Sequence, residues 1–178
     1  MSILRFLGIR ETAREGETAG AAETDTVRKI VARLEEIEPE KARYLAAFAY
    51  ILSRAARADL KISEDETRAM ERIVMEEGRM PEDQAIIVVQ MAKTQNKLFG
   101  GTENFLVTRE FNKIASREQK IALLHCLFAV SASDMSISTI EDNEISQIAR
   151  ELGLDHHEFI SVRTAYRDHL AVLKKENR

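Results

Sequence analysis

One pattern occurs twice in this chain: Asp59, Ile62, Ser63 and Glu66 return 75 residues later as Asp134, Ile137, Ser138 and Glu141. Laid over one another without a gap, residues 43–80 and 118–155 also match Ala47 with Ala122, Leu52 with Leu127, Ile73 with Ile148, Glu76 with Glu151 and Gly78 with Gly153. Each copy reads as helix, short acidic loop, helix. A chain built on two such units is expected to be all-α, with the two helix pairs packed in pseudo-symmetry.

The residue types in the repeat follow from how helices begin and end. An apolar helix stops just before the aspartate, a lone isoleucine follows, and a serine then precedes a new helical period. Ser63 and Ser138 are natural N-caps. Glu66 and Glu141, three residues on, complete S-x-x-E capping boxes in which the carboxylate reaches back to the cap's own N–H. The helix that follows puts Met70, Ile73 and Val74, or Ile145, Ile148 and Ala149, on one face and closes on Gly78 or Gly153 at C′.

Asp59 and Asp134 are harder to explain as scaffolding. They fall at or just past a helix C-terminus, where the macrodipole disfavours a carboxylate by roughly 0.3–1 kcal/mol. Two readings compensate for that. In one, the carboxylate accepts a loop N–H in an Asx-turn. In the other, the aspartate, loop carbonyls and the glutamate seven residues later hold a divalent cation, since hard cations gather several oxygens. An EF-hand is excluded. Counting from Asp59, Lys61 stands at ligand position 3, Glu64 where glycine is required and Met70 where the last glutamate belongs, and the second copy fails likewise at Thr139 and Ile145.

The duplicated D-x-x-I-S-x-x-E element in a helical chain of this size resembles the tellurite-resistance TerB family, which is also related to the N-terminal region of a DnaJ-like membrane-anchored co-chaperone. The resemblance covers residues 40–175. It implies a compact all-α bundle of about seven helices, a role in tellurite or other chemical stress in bacteria, and an acidic site for a divalent cation such as calcium or magnesium. By position, that metal site is Asp59 and Glu66 in one copy, Asp134 and Glu141 in the other. The family usually has glycine directly after the aspartate, and here Leu60 and Met135 take its place. Glycine there admits a positive φ that brings carbonyls toward an ion.

The remainder of the chain reads as one domain over residues 26–178 behind an N-terminal tail, residues 1–25. Hydrophobic residues at 44% and charged residues at 31% fit an ordinary globular protein, and two prolines in 178 residues leave helices uninterrupted. A formal net charge of −4 argues against non-specific nucleic-acid binding. The longest apolar run, residues 121–130, is about half of what a membrane-spanning helix needs, so no transmembrane segment is expected. In the tail, Ile3, Leu4, Phe6, Leu7 and Ile9 with Arg5 and Arg10 make a short basic amphipathic segment, and residues 11–23 read as a linker. Cys126, the single cysteine, sits in an apolar run and reads as buried and inert, consistent with a reducing cytoplasm.

Periodicity places a first helix on Val27, Ile30, Val31, Leu34 and Ile37, and a second over residues 39–58 with Tyr44, Leu45, Phe48, Ile51, Leu52 and Ala55 inward. Pro81 opens a helix over 82–95, where Ile86 to Val89 mimics a strand but the length and end signals say helix. A loop over 96–101, a helix over 103–114, a helix opened by Ser116 and Gln119, and a single last helix over 155–174 complete the reading. No nucleophile motif, phosphate loop, dinucleotide fingerprint or Glu-x-x-His is present. His156 and His157 point about 100° apart on a helix and read as surface residues. The expected protein is a non-enzymatic, cytoplasmic binding domain that holds a divalent cation at its paired acidic loops and scaffolds protein partners at the inner membrane face. The alternative keeps the partners and makes the acidic loops helix-capping structure alone. Neither reading sets an oligomeric state.

Overall fold

Burial runs without a break from Leu45 to Ser53, all the way round helix α1 (Pro39–Ala55), in the computed structural model of the chain. The structure describes residues 28–30, 32–55, 63–95 and 104–174. A helix apolar on every side must be enclosed, and α1 is packed against α3 (Glu82–Gln95), α4 (Asn104–Ile114), α5 (Arg117–Ala132) and α6 (Thr139–Glu151). The other long apolar helix, α5, is buried along most of its length and also meets α2 (Glu64–Glu76) and α7 (His156–Ala165). Residues 28–30 and 32–35 are helical as well, and they send Ile30 and Leu34 into the core. The 1–25 tail, Val27, Val31, residues 56–58 of the expected second helix and the 96–101 loop lie outside the described residues.

Aromatic side chains mark the two seams. Tyr44 stacks on Phe111 at 5.3 Å and Phe48 meets the same ring edge-on at 6.2 Å, joining α1 to α4. Phe128 stacks on Tyr166 at 5.5 Å and contacts Phe159 at 6.0 Å, joining α5 to the C-terminal region. Offset and edge-on pairs suit the ring quadrupoles. Each fully buried Phe stabilises the fold by about 1.5–3 kcal/mol relative to leaving it exposed.

The strand-like run Ile86–Val89 is indeed helical, and it buries Ile87, Val88 and Val89. The last helix is not continuous. It stops at Ala165, passes through a 3₁₀ turn (Arg167–His169) and resumes as the four-residue α8 (Ala171–Lys174). No proline or glycine causes this break. Tyr166 leaves helical geometry at φ −110 and ψ 14, with its ring on Phe128 and its hydroxyl donating to the His125 carbonyl at 3.2 Å. Leu170 is extended, and the segment around it pairs with Ile137: the Ile137 N–H donates to the His169 carbonyl at 2.7 Å and the Ala171 N–H to the Ile137 carbonyl at 2.9 Å. This parallel bridge is the one pairing of extended backbone among the described residues. Tertiary hydrogen bonds here outweigh the local helical period.

The two repeated helices begin alike and end differently. Ser63 and Ser138 each form a complete capping box with Glu66 and Glu141. At the far end, Gly153 takes φ +70 and the Leu154 and Gly153 N–H groups bond Ala149 and Arg150 carbonyls, a Schellman closure. Gly78 is held by space instead. A Cβ there would collide with the Val74 carbonyl oxygen and sit 3.2 Å from Cys126 Sγ, while the positive φ falls on Arg79. Gly78→Ala is therefore expected to cost about 2 kcal/mol by overpacking, and Gly153→Ala about 1 kcal/mol by left-handed strain alone. Urea unfolding of the two variants measures both, and a neutral Gly78→Ala would show that the turn after α2 can shift away from the Val74 carbonyl and Cys126.

Candidate functional site: the acidic helix starts

The second loop can be followed atom by atom. α5 ends at Ala132, Ser133 caps it, and Asp134 stands exposed just beyond. Its Oδ1 accepts a long 3.5 Å hydrogen bond from the Ser136 N–H, the Asx-type contact that relieves a carboxylate at a helix C-terminus. Met135 then adopts φ +71, and its N–H bonds the Ala132 carbonyl at 2.9 Å. The backbone thus makes the left-handed turn that glycine would make at this place. An ordinary side chain in that region costs about 1–2 kcal/mol. Ile137 is buried and tied to the C-terminal segment by the bridge described above.

Glu141 is already occupied. Its Oε2 accepts from the Ser138 N–H at 2.8 Å and the Ser138 hydroxyl at 2.6 Å, while its own N–H donates to Ser138 Oγ at 3.2 Å. In the first copy, Glu66 Oε2 accepts from the Ser63 N–H at 2.7 Å. That backbone bond, with the Ser63 hydroxyl, holds the exposed Glu66 carboxyl below its usual pKa. Asp59 lies outside the described residues, as do Leu60, Lys61 and Ile62. Among the described residues no three His, Cys, Asp or Glu side chains gather as a metal-ligating group.

Each helix start also has a basic side chain from the helix that follows it. Lys93 on α3 donates to Thr67 Oγ1 at 2.8 Å, and Thr67 in turn bonds the Ser63 carbonyl. Arg163 on α7 grips Asp142 with two bonds of 2.8 and 2.7 Å, and that contact raises the arginine's pKa. Thr67 and Asp142 are themselves 75 residues apart, so both bonds fall on the same register of the repeat. Their donors lie 26 and 21 residues downstream, too far for a local pattern to betray them.

A second feature escaped the sequence. Arg54, at the C-terminal end of α1, has a side chain only 5% exposed and reaches Glu151 at 2.7 Å, Glu144 at 2.8 Å and Thr108 Oγ1 at 2.8 Å. Burial alone would lower its pKa, but hydrogen bonds and charge from Glu151 and Glu144 outweigh that and leave it raised. For Glu151 burial likewise acts upward and is outweighed by Arg54 and Gln147, so its carboxyl is held low. The available signal was a lone arginine closing an otherwise apolar run. Cys126 is fully buried, its thiol pKa pushed up first by burial and then by Glu77, which agrees with an inert cysteine. His156 and His157 are exposed at the start of α7.

A family model described as "Tellurite resistance protein TerB" matches residues 45–164, more than half of the 178-residue chain. The chain belongs to the TerB family. Neither curated proteins nor solved structures give a match. Within this TerB domain the matched span begins in α1 and ends in α7, so it takes in both capping boxes and the Arg54 cluster.

Two outcomes test this geometry. Arg54→Ala leaves two carboxylates facing a buried gap and is expected to cost about 3–5 kcal/mol at neutral pH. A carboxyl with a depressed folded pKa contributes stability above its unfolded value of about 4.3, lost as pH falls through the folded pKa. Glu151 is such a group, so the difference between native and variant should shrink below about pH 4. Urea midpoints from pH 3 to 7 would reject the pairing if the difference stayed flat. Met135→Gly, which removes the left-handed strain, is expected to stabilise by up to about 1 kcal/mol, and a loss of stability on the same assay would show that the Met135 side chain matters more than its backbone.

Proposed function

We propose that this TerB domain is a non-enzymatic module that binds protein partners in a bacterial stress-response assembly linked to tellurite, in the cytoplasm at the inner membrane face. Its acidic loops serve to start and fasten helices. The observation that supports this reading best is Glu141, whose Oε2 accepts two hydrogen bonds from the serine it caps. The Lys93 bond to Thr67 and the Arg163 bond to Asp142 fasten each helix start to the helix that follows it.

Met135 favours a second reading. Backbone strain tends to persist where a function needs the conformation, and φ +71 at Met135 keeps the turn that an ion-binding loop uses. On this reading Asp134 and Glu141, with Asp59 and Glu66 in the other copy, would bind calcium or magnesium weakly. Thermal unfolding of metal-stripped protein with millimolar Ca²⁺, Mg²⁺ or Mn²⁺ separates the two. The capping reading expects no change in midpoint. A ligand at about 100 times its dissociation constant stabilises by roughly 2.7 kcal/mol, or several degrees at this size. Such a rise, absent from the Asp59→Asn/Asp134→Asn double variant, would replace the first reading with the second.

A further inference from the structure

Seven large hydrophobic side chains are exposed among the described residues, and three of them, Met135 at 71%, Ile140 at 55% and Val172 at 44%, lie within three residues of the Ile137–Leu170 bridge. The other four are spread over α2, α4 and α7. The bridge fixes this rim: its two backbone bonds hold the loop and the C-terminal segment side by side. The charge around it is acidic. Asp134 is exposed, Glu141 is partly so, and Asp168 is almost wholly exposed between Arg167, at 3.9 Å, and the half-buried His169. Arg163 near this loop is already bound to Asp142, and Lys174 closes the C-terminal segment.

The chain carries a segment complementary to that rim in both respects. Residues 1–10 include Ile3, Leu4, Phe6, Leu7 and Ile9, two arginines at positions 5 and 10, and no acidic residue. We infer that residues 1–10 dock on the rim formed by Met135, Ile140 and Val172, with Arg5 and Arg10 toward Asp134 and Asp168. Residues 11–27 supply the reach. At about 3.3 Å per extended residue they span up to roughly 56 Å, against a radius of gyration of about 15 Å for a domain of this size. Apolar contact removes exposed hydrophobic surface from water, and the charge match orients the segment and makes its hold weaken with salt. The rim is then a surface that the chain covers for itself, and a protein partner would gain it only by displacing residues 1–10.

The test uses the full chain with a nitroxide on Ser2→Cys, the parent chain serving as control that buried Cys126 takes no label. Amides of residues 135–140 and 170–173 should lose more than half their intensity by paramagnetic broadening, unchanged on tenfold dilution. The Met135→Asp/Ile140→Asp double variant should abolish the effect, and Arg5→Glu/Arg10→Glu should reduce it at least threefold. Both substituted rim positions are exposed, and equal thermal midpoints would confirm that the double variant is folded. Broadening spread evenly over the surface or focused on another face overturns the inference. So does broadening that fades on dilution, which would put a second copy of the chain on the rim.

Discussion

Everything in this fold is arranged around the need to enclose α1. A helix with apolar side chains on every face has no solvent side, so four other helices must cover it. That enclosure creates a problem at its last turn, where Arg54 carries a charge into the same interior. An unpaired buried guanidinium would be prohibitive, and the fold answers by bringing two carboxylates from α6 and a hydroxyl from α4 to it. Removing water from both partners offsets much of the attraction, so the cluster adds less to net stability than its short distances suggest. Its effect is on register: α4 and α6 can sit against α1 in few ways that still satisfy Arg54.

Much of this was legible in the sequence, for a physical reason. Helix starts are local events, so Ser63 with Glu66, Ser116 with Gln119 and Ser138 with Glu141 declare themselves within four residues. The apolar period of residues 82–95 likewise settled the nature of the Ile86–Val89 run. What remained hidden depends on distant partners. The break after Ala165 is imposed by Phe128 and Ile137 from elsewhere in the chain, and nothing in residues 155–174 signals it. The same holds for Lys93 and Arg163, whose targets are set by how α3 and α7 fold back.

The repeat is therefore informative in an uneven way. Matched residues share a role where that role is local: both serines cap, both glutamates close the box, and Leu52 and Leu127 are both fully buried. Where the role is tertiary, the matches diverge. Glu151 holds Arg54, whereas Glu76 at the matched position is exposed, and Gly153 supplies a left-handed turn where Gly78 supplies clearance. One short motif has thus been fitted to two environments.

The Ile137–Leu170 bridge has a consequence for the order in which the molecule can be completed. The corner between α5 and α6 takes its backbone partners from residues more than thirty positions later. As the chain emerges from the ribosome, both helices of the second repeat are synthesised before the residues that pair with Ile137. The corner can take these two bonds only once His169 and Ala171 have been made, so this acidic loop is a joint that the C-terminal segment completes.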